Sequence, residues 1–330
     1  MLSRVAYALY WMSRLVERAE NVARFIQVNH SLTLDLPTER PQWEPLVITT
    51  GDEAAFKERY PGPTQAHVQF FLTFDEQNPN SILSCLSQAR DNARSVRGNL
   101  SSEFWEELNK LYLNLRRSSE SAATPRELSY DLYRDVMLDC HKLAGILDAT
   151  VARGEGWHFI HTGRMLERAD KTSRILDVKY YLLLPSPQYV GTPADDLQWA
   201  AVLRSASALQ MFRMQHHAIV PARVVEYLLL DRSFPRSVFF CLGEAEASLH
   251  AISGSPPNAF CNTAEQRLGQ LRSDLAFRRV EEIVDQGLHE FIDDLQKRLN
   301  LVGEGIYDTF FTARTFVPAL PGPSQGAYQQ

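Results

Sequence analysis

Apolar positions recur three and four residues apart through most of this chain, which is the period of an α-helix. The clearest case runs from Ser3 to Asn29. On a helical projection Trp11, Met12, Leu15, Val16, Ala19, Val22, Ala23 and Ile26 share one face. Ser13, Arg14, Glu17, Glu20, Asn21 and Arg24 fall opposite, with Arg18 at the border. The pattern predicts an amphipathic helix of about seven turns. Prolines then punctuate the chain at Pro37, Pro41, Pro45, Pro61, Pro63, Pro79, Pro125, Pro185, Pro187, Pro193, Pro221, Pro235 and Pro256-Pro257. The segments between them keep helical spacing, and none alternates with the period of two and β-branched enrichment of a strand. Leu271 to Arg314 reads as one long helix or two. The stretch from Pro318 to Gln330 is Pro-, Gly-, Ser- and Gln-rich and is expected to be a disordered tail. The expectation is an all-α helical bundle.

The same patterns occur twice. RLVERAENVAR, from Arg14 to Arg24, returns about 150 residues later as RMLERADKTSR, from Arg164 to Arg174. Further along, Trp43 matches Trp199, Phe56 matches Phe212, Asp75 matches Asp231, and Pro79 matches Pro235. Ser81 matches Ser237 and Cys85-Leu86 matches Cys241-Leu242, after a shift of about six residues that implies one short loop insertion. Collinear matches of this length indicate an internal duplication. They predict two multi-helix halves, residues 1–150 and 151–317, packed as one unit in a pseudo-two-fold relation. Gly303-Glu304-Gly305 echoes Gly154-Glu155-Gly156, as if a third copy began, and a last helix around Gly303 to Thr312 would fill its place.

Composition narrows the function. The 330 residues are 45% apolar and 22% charged, the balance of a globular protein with a substantial core. Net charge is −6, opposite to the clustered basic charge of nucleic-acid binders, so no nucleic-acid partner is expected. No apolar run approaches the ~20 residues that cross a bilayer, and the N-terminal stretch lacks the form of a signal peptide. Cys85, Cys140, Cys241 and Cys261 are scattered, with no paired spacing. They read as buried thiols in a reducing compartment, hence a cytoplasmic protein.

The charged face of the repeated helix is the main candidate site. It comprises Arg14, Glu17, Arg18, Glu20 and Arg24, and their matches Arg164, Glu167, Arg168, Asp170 and Arg174. Charges at helical spacing are ordinarily a solvated face, where each pair contributes only ~0.2–0.5 kcal/mol. Yet between the two copies the charges persist while apolar positions drift: Met12 becomes Thr162, Val22 becomes Thr172, and Ala23 becomes Ser173. Two alternatives follow. The charges form partly buried ion pairs where the halves meet, or they line a polar cleft for a ligand or partner. Arginine suits the second because its planar fork grips carboxylate or phosphate.

Other chemistry is thin. Glu155 and His158 have the spacing of di-metal bundles but lack the second pair such sites need, so no metal or other cofactor is expected. His216 and His217 are adjacent and point to different helix faces. No phosphate-binding loop, dinucleotide fingerprint, nucleophile elbow or zinc-protease motif is present. The tryptophans read as core.

The opening MLSRVAYALYWMSRLVERAENVARF resembles the bacterial alpha-E family, named for an all-helical domain with a Glu-Arg motif. NARSVRGNLSSEFWEELN (92–109), FIHTGRMLERADKTSRILD (159–177) and LLLDRSFPRSVFFCL (228–242) are similar to it too. The motif maps onto Glu17-Arg18 and Glu167-Arg168. The resemblance implies a partner, a circularly permuted ATP-grasp protein, often with a transglutaminase-like protein nearby. It also implies a system that makes or modifies a peptide or amide product. Phe239 departs from the family pattern, where a basic residue is more usual, so a basic site at that spot is not supported. Two functions stay open. One is a non-catalytic accessory or scaffold for the ligase. The other is an enzyme of the same pathway, with a charged cleft between the halves.

Overall fold

The structure is a computed structural model that describes residues 1–35, 43–122, 124–181 and 192–312. Pro37, Pro41, Pro185, Pro187 and the segment from Pro318 lie outside these residues. Among the described residues the chain forms fifteen α-helices and no strand. Two long helices are central: α1 (Ser3–Asp35) and α8 (Glu155–Tyr181). Around α1 pack α5 (Ile82–Ser95) and α7 (Tyr130–Thr150), with α6 (Ser102–Glu120) against both of those. Around α8 pack α12 (Val238–Ser253) and α15 (Leu288–Ile306), with α13 (Thr263–Ala276) against both. Short helices cross between the groups. α2 (Glu44–Thr50) touches α8, and α9 (Pro193–Ser205) touches α1. α3 (Glu53–Arg59) and α4 (Gln65–Thr73) complete one side, and α10 (Leu209–Gln215), α11 (Pro221–Leu230) and α14 (Val280–Gln286) the other.

Local chemistry explains the boundaries. Pro45, Pro193 and Pro221 sit in the first turn of their helices, where a missing N–H costs nothing. Ser81 and Ser237 cap α5 and α12, accepting from the N–H of Ser84 and Phe240 at 3.1 Å each. The reading of Leu271 to Arg314 as one or two helices needs correction. It breaks into the end of α13, then α14, then α15 with a terminal π-turn (Tyr307–Phe311). Gly287, at φ 100°, makes the second break. The last described residues continue α15, with no new helix starting at Gly303.

Aliphatic and aromatic side chains fill two large core clusters, with a small third contact of Val28 and Ala201. One gathers residues between Ala6 and Ile160; the other gathers Tyr10, Phe25 and residues from Met165 to Ile306. Between them α1 and α8 run side by side. Leu9 meets Gly156, Tyr10 and Ser13 meet Gly163, and Arg14 and Arg18 reach Glu167, so the two helices are parallel over this stretch. Gly163 sets the closeness. A Cβ there would lie 2.4 Å from the Tyr10 carbonyl oxygen and 2.5 Å from Ser13 Oγ.

No helix among the described residues is long and apolar enough to cross a membrane. Cys85, Cys140 and Cys241 are buried, but Cys261 is exposed, against the expectation for all four.

Candidate functional site, a sealed Glu-Arg lattice

The amphipathic reading of α1 is corrected by burial. Glu17 is 5% exposed, Glu20 3%, Asn21 1% and Arg24 7%, so the charged face lies as deep as the apolar one. Glu167 is fully enclosed at 0%. Four carboxylates removed from water each need cationic partners, since an isolated buried charge is strongly unfavourable.

The partners are exchanged between the helices. Adjacent residues on a helix point about 100° apart, so one Glu-Arg dipeptide can give and receive. Arg168 grips Glu17 with a two-pronged contact, Nε to Oε1 and Nη2 to Oε2, both at 2.8 Å. In the other direction Arg18 Nε donates to Glu167 Oε1 at 2.7 Å and Arg14 Nε donates to Oε2 at 2.8 Å. Glu20 and Asp170, one turn on, take Arg24 and Arg174 from their own helices, the latter at 3.0 Å.

Residues outside the repeated helix close the lattice, and sequence reasoning missed them. Arg236 donates to both oxygens of Glu20, at 2.7 and 2.8 Å, and to Glu17 at 3.3 Å. Its position is set by its turn. Pro235 precedes it, Ser237 caps α12 after it, and Asp231 holds the loop by accepting from the N–H of Ser233 and Phe234. The position matching Arg236 is Asn80, whose Oδ1 accepts from Arg18 at 2.7 Å. Around Glu167 the extra cation instead comes from Lys171, 3.6 Å from Glu167 and 3.2 Å from Asp170. Lys171 stands where α1 has Asn21. The same positive charge therefore occupies different positions in the two sets, Asn21 with Arg236 and Lys171 with Asn80. A search for identical residues passes over such a trade.

Helix ends supply the remaining acceptors. Gly51, at φ 82°, ends α2, and Arg174 Nη1 donates to the nearby Thr49 carbonyl at 3.4 Å. Ser207, at φ 53°, ends α9, and its hydroxyl takes a hydrogen bond from Arg24. A guanidinium at a helix C-terminus meets the negative end of the dipole.

The electrostatics favour permanent ionisation. Burial alone would push the Glu17, Glu20, Glu167 and Asp170 carboxyls up. Arg168, Arg236, Arg18 and Lys171, respectively first among their neighbours, hold all four below the usual range, and Glu20 and Glu167 fall well below it. Arg164 stands apart from the lattice. It is Arg14's match, yet it reaches only Asp148, at 3.4 Å, and His161. Burial and then Arg168 lower its pKa. Burial and Arg164 likewise depress His161, to about 4. Burial pushes the thiols of Cys85 and Cys241 up to about 12, so neither is a ready nucleophile.

A narrow cleft touches this lattice from the α7 side. It is about 30 Å³, lined by Glu17, Glu20, Cys140, His141, Arg164 and Arg168. His141 donates to Glu20 at 3.1 Å and stands at its mouth. Among the described residues no cluster of three or more His, Cys, Asp or Glu side chains is arranged to hold a metal ion. Phe239 is buried, and Arg232 and Arg272 lie over its ring at 5.0 and 5.6 Å. Positive charge thus surrounds that spot although the residue itself carries none.

Comparison with known proteins agrees with this emphasis on a Glu-Arg pair. The chain is 23% identical, over 98% of its length, to uncharacterised proteins of Mycobacterium bovis and of Mycobacterium tuberculosis. It spans 38% of the length of those relatives. No solved structure matches. The model of the Alpha-E family, described as a predicted alpha-helical domain with a conserved ER motif, matches residues 1–311, and the chain belongs to that family.

Proposed function

We propose that this protein is a non-catalytic helical accessory, and that its Glu-Arg lattice is the lock joining two duplicated halves about a pseudo-two-fold axis. The observation that carries this reading is the reciprocal, buried pairing of Glu17 with Arg168 and of Glu167 with Arg14 and Arg18. A carboxylate clamped between guanidiniums and held ionised is a poor general base, because catalysis asks for a pKa near the working pH. A cleft of about 30 Å³ has room for water or a monatomic ion, not for a substrate. Both features weigh against an enzyme with an open charged cleft between the halves.

Matched positions support the duplication. Ser81 and Ser237 both cap, and Gly51 and Ser207 both take left-handed backbone beside an arginine. Cys85 and Cys241 both donate weakly to the carbonyl of the preceding matched proline, at 3.6 and 3.5 Å. On this reading residues 1–150 and 151–317 are the two halves.

The accessory would act in the cytoplasm on a circularly permuted ATP-grasp amide ligase, holding it or positioning its substrate in peptide or amide synthesis. A transglutaminase-like protein would belong to the same system. This partnership rests on the family resemblance. The remaining length of the mycobacterial relatives leaves room for a fused partner. Co-purification with the ligase encoded alongside it, followed by ligase assays with and without this chain, is the test. Stable association with altered ligase output is expected; a chain that never associates and leaves turnover unchanged overturns the proposal.

A further inference from the structure

A groove of about 450 Å³ opens between α12 and α13, away from the Glu-Arg lattice. That volume is in the range of small-molecule sites, roughly 300–1,000 Å³. The other half, under the duplication proposed above, provides an internal comparison. The corresponding groove, between α5 and α6, is about 210 Å³ and is lined by Glu76, Leu83, Tyr112 and Arg116. There Arg90 fills the space. It donates to Asn109 Oδ1 at 2.6 Å and lies over the rings of Tyr112 and Trp105, at 5.1 and 5.8 Å.

Aligning α6 and α13 on their buried leucines, Leu108 with Leu268, Leu111 with Leu271 and Leu115 with Leu275, shows what changed. Asn109 becomes Gly269, Tyr112 becomes Arg272, and Arg116 becomes Ala276. Glu246 takes the place of Arg90, so close to Gly269 that a Cβ there would meet its Oε1 at 3.2 Å. Arg232 replaces Glu76. The second groove has thus lost side-chain volume, and its two guanidiniums have moved from Arg90 and Arg116 to Arg232 and Arg272, around Phe239.

Its acids leave Arg232 without a carboxylate partner among the described residues. Glu246 is paired with Arg272. Glu265 is occupied at its own helix start, accepting from Cys261 N and Asn262 Nδ2, both at 2.9 Å. Arg272 Nε is nevertheless buried without a hydrogen-bond partner, and Arg232 makes only a 3.4 Å contact to the Ala276 carbonyl. We infer that this groove binds a small ligand through an anionic group, carboxylate or phosphate. The anion lies between Arg232 and Arg272, and the ligand's apolar part rests on the exposed ring of Phe260.

Isothermal titration of the full chain tests this with acetyl-alanyl-alanine, its uncharged C-terminal amide, and phenyl phosphate. One of the two anions is expected to bind, with the amide at least about tenfold weaker than the free acid if the acid is the binder. Which anion binds tells a carboxylate ligand from a phosphorylated one. Arg232→Gln, at an exposed position, is expected to weaken binding about tenfold with an unchanged melting temperature. Gly269→Asn restores the filled form of the groove and is expected to abolish binding. Neither anion binding, the amide binding as well as the acid, or both variants binding like the parent would overturn the inference. None of these readouts involves the ligase, so the two proposals fail separately.

Discussion

At the residue scale the lattice makes its members unequal to ordinary surface charges. Removing one partner from a buried pair leaves the other uncompensated and costs roughly 3–5 kcal/mol. Arg236→Asn strips Glu20 of its two-pronged contact and Glu17 of a second cation, so a loss of that size is expected in chemical denaturation. The charges around Glu167 show how to repair it. There a lysine one turn after Glu167 substitutes for the missing arginine. Adding Asn21→Lys to Arg236→Asn is therefore expected to restore at least about 1 kcal/mol relative to the single change, read from a double-mutant cycle. Strictly additive effects would mean the two positions do not trade charge. As a control, Asp293→Asn removes an exposed pair with Lys297 and should leave the unfolding midpoint unchanged. The ten charges of the repeated helices were legible in the sequence because they recur. Arg236 and Lys171 were not, because each has a neutral residue at the matching position, Asn80 and Asn21. Arg164 was legible as a charge, but not as the one that leaves the lattice.

At the scale of elements the contact of α1 with α8 depends on one missing side chain. Gly163→Ala places a methyl against the Tyr10 backbone and Ser13, neither of which is a flexible tip. The helices must part, and a destabilisation of about 1–3 kcal/mol or more is expected in equilibrium unfolding. A stability equal to the parent would show that the helices are not held this closely. The start of α1 was legible from its period, but the helix runs on to Asp35 rather than ending at Asn29, and its character was not legible. A helix with one charged face looks amphipathic whether that face meets water or a second charged helix. Gly287 illustrates a signal that was present and outvoted. Helical spacing continues through 271–314, so the break that its positive φ permits was absorbed into a longer helix.

For the whole molecule, ionisation sets the response to acid. The lattice carboxyls have folded pKa values below their ordinary 4.5 for Glu and 3.8 for Asp. Their stabilisation is present above those values and is lost as pH falls through the depressed folded ones. His161 acts at milder pH. Its folded value of about 4 lies below the ordinary 6.5, so its contribution is complete above 6.5 and is lost as pH falls from 6.5 to 4. Melting temperature is expected to decline across that window, and His161→Gln should flatten the decline; an unchanged slope would remove His161 as its source. The collinear matches were legible in the sequence, whereas depth was not, because sequence places residues on a helix face without saying what covers it. Depth is what separates a lock from a cleft. Equilibrium unfolding of Glu17→Gln, Glu167→Gln and the double variant tests that distinction most directly. A lock predicts a loss of roughly 3–5 kcal/mol for each single change, with the double below their sum because the carboxylates share one network. Active-site charges are often kept at the expense of stability. Variants as stable as the parent, or more stable, would contradict the lock and return Glu17 and Glu167 to the role of a working site.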